Sequence, residues 1–210
     1  MKDDIFVVGA GGHCRVILSL LSYYEGFNVI GIADRDKEHL GERILGKEIK
    51  YTWNDFQAIH DQGVPYAAIA VGDNKERNNL FIQLKGIGFT IKALIHPAAL
   101  IDDSVKIGEG STICMGVKIG TSVTIGDNCV INTGAIIDHE VAIEDDCFIA
   151  PGVCIAGRVL MEHGSFIGIG SSIIDKITIG ANAVVGAGSV VIRDVLSNAT
   201  VVGVPAKQLN

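Results

Sequence analysis

The sequence predicts two joined folds: a Rossmann-like α/β domain over residues 1–95 and a parallel β-helix of hexapeptide repeats over residues 96–210. Three observations predict them. An apolar residue returns at every sixth position from Ile101 to Val191. Residues 4–95 lack that period and alternate strand-like with helix-like runs. A glycine-rich turn, "GAGGH" at 9–13, joins the first strand-like run to the first helix-like one.

In the front part, "DDIFVV" reads as a strand entering the glycine turn, and "CRVILSLLSYY" as the helix after it. "FNVIGIADRD" is a second strand ending in acids, and "YAAIAVGDN" a third. "KERNNLFIQLKGIG" is a helix closed by glycine, and "FTIKALIHP" is expected to complete the parallel βαβ arrangement. Ligands of such sheets bind beyond the carboxyl ends of the strands. That rule gathers Gly9, Gly11, Gly12, His13, Asp34 and the Gly72-Asp73-Asn74 turn around one crevice. Helix N-termini there offer free N–H groups to phosphate oxygens. The GxGxxG dinucleotide pattern is broken by Cys14, which weighs against a full NAD site. A single nucleotide or nucleotide sugar fits better, with Asp34 or Asp36 as polar contacts. The alternative is a purely structural α/β cap.

In the second part the sixth-position series is Ile or Val throughout, except Met161. Four residues after each member stands a small or β-branched residue, such as Val105, Val117, Cys129, Ala135 or Cys147, and neither series contains a charge. The second series lies two residues before the next member of the first, and residues two apart share a strand face. Each hexad is therefore a short strand with two inward side chains, then a turn of the "IGDN" or "IGTS" kind. A helix would need its stripe at three- and four-residue intervals. The period indicates a parallel β-helix, a three-faced prism with about 18 residues per coil. One coil cannot stand alone, so stacking and neighbouring subunits are expected to contribute.

Composition narrows the function. The formal net charge of -7 gives no electrostatic footprint for nucleic acid. No apolar run is long enough to span a bilayer, and "MKDD" is not a signal-peptide start. Five cysteines without a CxxC pair argue for a reducing cytoplasm rather than a disulfide or zinc framework. Cys129 and Cys147 fall in the small inward slot, which packing explains.

Of the six histidines, His39 and His60 read as surface residues, His96 as a turn former before Pro97, and His163 as part of the one irregular hexad, "MEHGSF". His13 lies within reach of a phosphate at the glycine turn. His139, in "IDHEVA", points away from the core between Asp138 and Glu140. Flanking carboxylates can orient an imidazole and stabilise its charged form, as a general base requires. Eighteen residues later stands Gly157, one strand spacing away at about 4.8 Å; a glycine there lets a ligand approach a backbone N–H that could support an oxyanion. Asn132, one hexad earlier, adds a polar side chain. Strand alternation turns both acids away from the ring, so the sequence leaves open which of them touches it.

The landmarks "GAGGH", "IHPAALID", "NTGAIIDHEV", "CFIAPG" and "VVGVPAK" run the length of the chain. With them the sequence resembles the sialic-acid O-acetyltransferase-like sugar acyltransferases, which include UDP-4-amino-sugar N-acetyltransferases of bacillosamine synthesis. The resemblance implies a left-handed coil, acetyl-CoA as donor, and a homotrimer with active sites between subunits. It implies that His139 is the general base, Glu140 its orienting group and Asn132 a polar active-site position. It puts Gly157 near the thioester carbonyl and Ile169 and Ala187 along the pantetheine arm. In the front domain it implies that the glycine turn, with Gly11 and Gly12, and His13 contact a diphosphate, with Asp34 near the base; Asn74 is expected in the same crevice from its strand-end position. Relatives commonly carry histidine where this chain has Phe148, so the donor pocket is expected to differ there.

The expected function is N-acetylation of a nucleotide-activated amino sugar, with no metal. Sugar O-acetylation of the sialic-acid type is the alternative, and a trimeric nucleotide-sugar scaffold is the non-enzymatic one. A γ-type carbonic anhydrase would need three zinc-binding histidines, which the coil region does not supply.

Overall fold

The structure is a computed structural model that describes residues 2–209. The chain divides into two compact units, residues 1–94 and 95–210.

The front unit is a five-stranded sheet with helices on both faces. Its elements are β1 (Asp3–Val8), α1 (Gly12–Leu21), β2 (Phe27–Asp34), β3 (Arg43–Ile44), β4 (Lys47–Thr52), α2 (Phe56–Asp61), β5 (Tyr66–Ile69) and α3 (Asn74–Ile87). The sheet order is β3-β4-β2-β1-β5, all parallel except the β3–β4 hairpin. Strand β1 lies between β2 and β5 and buries both faces, as parallel strands do. Ile5 and Val7 pack against Ile17, Leu20 and Leu21 of α1. Phe6 and Val8 pack against Phe56, Leu80 and Leu84 from the opposite side.

Two features differ from expectation. "FTIKALIHP" adds no strand to this sheet; Thr90 bridges to Tyr66, while Phe89 and Ile91 pack into the core on one face and Leu94 on the other. The β3–β4 hairpin and α2 were not foreseen. Leu45 and Gly46 turn the hairpin with φ of 47° and 78°, a two-residue turn whose positive φ values match strand twist. Helix α3 starts at Asp73, whose carboxylate accepts the Glu76 N–H at 2.8 Å, and ends at Gly88 with φ of 117°.

The second unit is the predicted prism. Face I contains the strands Thr112–Ile113, Val130–Ile131, Phe148–Ile149, Phe166–Ile167 and Val184–Val185. Face II contains Leu100–Ile101, Lys118–Ile119, Ile136–Ile137, Cys154–Ile155, Ser172–Ile173 and Val190–Val191. Face III contains Lys106–Ile107, Thr124–Ile125, Ala142–Ile143, Leu160–Met161 and Thr178–Ile179. The chain runs I, II, III and back to I, and every pairing joins residues one coil apart, as Ile119 to Ile137 and Ile137 to Ile155. The sixth-position residues point inward and are buried almost without exception. Inward Ser111 and Ser171 satisfy themselves by donating to the carbonyls of Gly126 and Gly186. Strand Thr200–Val202 extends face I, and antiparallel Lys207–Gln208 covers its free edge.

The corners carry the chain through positive φ. Between faces I and II that position is always glycine: Gly116, Gly134, Gly152, Gly170 and Gly188. Between faces II and III it is Ser122, Glu140, Arg158 and Lys176.

Candidate active site

His139 stands at the corner between faces II and III. Its Nδ1 lies 2.9 Å from Glu140 Oε2, while Asp138 Oδ1 accepts the His139 backbone N–H at 2.8 Å. The question left open by strand alternation is thus answered by the corner. Glu140 has φ of 58°, a left-handed conformation that breaks the alternation and swings its side chain alongside the ring. With Nδ1–H donated to Glu140, the neutral imidazole presents a lone pair at Nε2.

The coil above supplies Gly157. A Cβ built there would lie 2.5 Å from His139 Nε2, so the ring leans into space that only glycine leaves empty. The coil below supplies Gly120, where a Cβ would lie 3.1 Å from the His139 nitrogen. Backbone bonds lock the three layers: Glu140 N–H to Thr121 O at 2.9 Å, Arg158 N–H to His139 O at 3.0 Å and Lys176 N–H to Gly157 O at 3.1 Å. The Gly157 carbonyl belongs to this ladder, and its amide stands outside it. An acid-held imidazole and a backbone N–H therefore sit side by side on one edge.

Asn132, Ile169 and Ala187 lie on the other edge of face II, the corner between faces I and II. Asn132 Oδ1 accepts the Thr133 N–H at 2.8 Å. Each turn on this edge carries a glycine at its positive-φ position, and Met115 and Ile169 are exposed beside them. A single chain does not bring this group together with His139, because face II separates them. Face II is itself apolar and open, with exposed Leu100, Ile136, Ile174 and Ile192 along it and its edges.

Phe148, the departure noted in the sequence, points out of face I and stacks on Phe166 of the next coil at 5.2 Å between ring centroids. It is nearly buried.

The front unit has its own crevice, lined by Gly9–His13, Asp34, Arg35, Trp53, Ala70–Asp73 and Glu76. Gly9 needs its φ of 103° and its missing side chain, since a Cβ would lie 2.9 Å from Val71. Gly11 and Gly12 open the N-terminus of α1, whose first amides have no intrahelical acceptor. His13 is held neutral: burial, with help from the Arg77 guanidinium, lowers its pKa to about 4. Its Nε2 is buried with no hydrogen-bond partner among the described residues. Asp34 accepts the Arg35 N–H at 2.6 Å and meets His39 Nδ1 at 2.6 Å. The hydrogen bond to Asp34 raises the His39 pKa.

Two nearby side chains are engaged within their own segments. The Asn74 amide oxygen accepts from Arg77 Nη2 at 2.9 Å in the first turn of α3. Asp36 is turned to cap the 3-10 helix Lys37–His39. Sequence reasoning also missed Arg35, Trp53 and Glu76. Trp53 follows the unforeseen β4, and Glu76 was visible only as the residue three after a capping Asp. Among the described residues no cluster of metal-binding side chains occurs, and no helix is long and apolar enough to cross a membrane.

The PglD N-terminal domain family matches residues 4–84, the bacterial transferase hexapeptide family residues 122–157, and the hexapeptide repeat of succinyl-transferase residues 159–193. No curated protein matches by sequence. PerB of Caulobacter crescentus, solved with CoA and GDP-perosamine, is 33% identical, with a TM-score of 0.94 over 100% of this chain and 99% of that one. The acetyltransferase domain of PglB from Neisseria gonorrhoeae, solved with acetyl coenzyme A, is 28% identical, with a TM-score of 0.92 over 100% of both chains. WeeI from Acinetobacter baumannii is 27% identical, with a TM-score of 0.88 over 99% of this chain and 100% of that one. Taken with the acid-held histidine on a left-handed β-helix and the glycine-turn crevice before it, these matches make the chain a member of the hexapeptide-repeat sugar acetyltransferases with a PglD-type N-terminal domain.

Proposed function

We propose that the protein moves the acetyl group of acetyl-CoA onto the amino group of a nucleotide-activated amino sugar, and works as a homotrimer. The observation that carries this reading is His139, tied to Glu140 at Nδ1 and leaning over Gly157 with Nε2. Relatives that span the whole chain hold CoA with a nucleotide-linked amino sugar, or acetyl-CoA.

Acetyl-CoA supplies an activated acetyl carbonyl. His139 Nε2 takes a proton from the sugar amine as its nitrogen bonds to that carbonyl carbon. The Gly157 N–H faces the carbonyl oxygen, on which negative charge grows. The proton held by His139 then passes to the thiolate released as the carbon–sulfur bond breaks. Glu140 fixes the tautomer and stabilises the transient imidazolium. The front crevice holds the nucleotide part, with α1 amides and neutral His13 at the phosphates.

Two observations support the trimer. His139 and the edge of glycine-containing turns lie on opposite edges of face II, and that face is open and largely apolar. A second copy laid on it would bring one chain's glycine-turn edge to the other's His139. The deciding experiment is steady-state acetylation of nucleotide-linked 4-amino sugars by wild type and His139→Ala. The variant is expected to lose about 10²–10⁴-fold in kcat. A near-wild-type rate would remove His139 from the chemistry.

A further inference from the structure

Resting on the nucleotide-sugar reading, we infer that the base is guanine and that Glu76, with Arg35 beside it, reads the edge of that base. The crevice runs from the glycine turn past Asp34 to Arg35, Trp53 and Glu76. With the diphosphate at the α1 N-terminus, an acid at the end of β2 stands at the ribose, which places the base beyond Asp34. The walls there are the Trp53 indole, the Arg35 guanidinium 5.8 Å from its ring centroid, and the Glu76 carboxylate. Arg35 Nη1 lies 2.8 Å from Glu76 Oε1, so a cationic donor and an anionic acceptor stand next to one another.

Three carboxylates line this crevice, and two are already engaged. Asp34 takes the Arg35 N–H and the His39 ring. Asp73 caps α3. Among the described residues the Glu76 carboxylate meets only the exposed Arg35 side chain, and a carboxylate offers about four acceptor positions on its two oxygens. A ligand must therefore answer a pair of adjacent acceptors flanked by a donor.

Guanine answers it. Its N1–H and N2–H₂ are neighbouring donors that one carboxylate accepts together, and its O6 and N7 suit the adjoining guanidinium. Uracil and thymine have one N3–H between two carbonyls, so a carboxylate bonded to N3–H sets its other oxygen against a carbonyl. Adenine and cytosine each set an amino donor beside a bare ring nitrogen, with the same conflict. A charged acceptor left facing a lone pair is costly in a sheltered site. Room for a bicyclic base exists as well: a second hollow, lined by Trp53, Asp73, Lys75, Glu76, Asn79 and Gln83, continues past the ion pair.

Calorimetry on the full chain with GDP, UDP, dTDP, ADP and CMP tests the inference. GDP is expected to bind about tenfold or more tightly than any other, the value of one good paired contact. Glu76→Gln should weaken GDP about ten- to a hundredfold while moving UDP by less than about threefold. Arg35→Met should weaken GDP in the same sense. Equal affinity for UDP, or a GDP preference that survives Glu76→Gln, overturns the assignment and leaves the nucleotide-sugar reading standing. Should Glu76→Gln lower the melting temperature, the wild-type rank order alone decides. A chain that binds acetyl-CoA and none of these nucleotides overturns both.

Discussion

The imidazole of His139 fills the place where a side chain at position 157 would begin, with Nε2 2.5 Å from a Cβ built on Gly157. Gly157→Ala therefore pushes the ring away while leaving the backbone register intact. We expect kcat to fall about 10²-fold, the order of cost for an ångström of misplacement. The melting temperature should barely change. Steady-state kinetics and a thermal scan on one preparation check both halves.

Glu140 reaches the ring through a left-handed backbone, and its contact at 2.9 Å fixes which nitrogen is free. Glu140→Gln keeps an acceptor for Nδ1–H, whereas Glu140→Ala removes it. The alanine variant is expected to lose about 10–100-fold in kcat and the glutamine variant clearly less, with KM nearly constant in both. Equal losses would show that the negative charge, not the orientation, is what matters.

His13 gives the front unit an acid sensitivity. Its pKa is lowered from 6.5 to about 4 in the folded chain, so between those values the unfolded chain binds the extra proton. Stability therefore rises with pH through that window and is lost as pH falls through it. The shift corresponds to at most about 3 kcal/mol, less with solvent access. Urea titrations at pH 7 and pH 4 should show a steeper decline for wild type than for His13→Gln.

Ile136 is an exposed side chain in the middle of face II. Ile136→Glu places a charge where a second copy is proposed to sit. Sedimentation should show monomer in place of trimer, with activity lost although His139 is untouched. A trimeric variant would move the interface to another face.

Phe148 and Phe166 stack across adjacent coils. Phe148→Ala should cost about 3 kcal/mol, as for other buried aromatic truncations. Phe148→His keeps a flat ring in the stack and should cost less. Chemical denaturation compares the two.

The prism was legible because its signal repeats: Ile119, Ile137 and Ile155 predict one another, and each is where the period puts it. The dyad was half legible. His139 and Gly157 follow from spacing, but the Glu140 contact depends on a positive φ that no pattern of apolar residues announces. The front crevice was the least legible. Gly9–His13 and Asp34 sit on predicted strand ends, whereas Trp53 depends on a short hairpin and Arg35–Glu76 on a meeting of residues 41 apart in sequence. The Arg77 contact of Asn74 was not legible either, since a helix-cap turn and a ligand turn look alike in sequence.

The eighteen-residue coil also constrains how such a chain can change. His139 and Gly157 are neighbours because eighteen residues, one full coil, separate them. Six residues inserted between them could keep every isoleucine inside and every turn well formed. They would nonetheless carry Gly157 round to a different corner and leave His139 without it. Growth by whole coils preserves the chemistry, while growth by single hexads preserves only the fold.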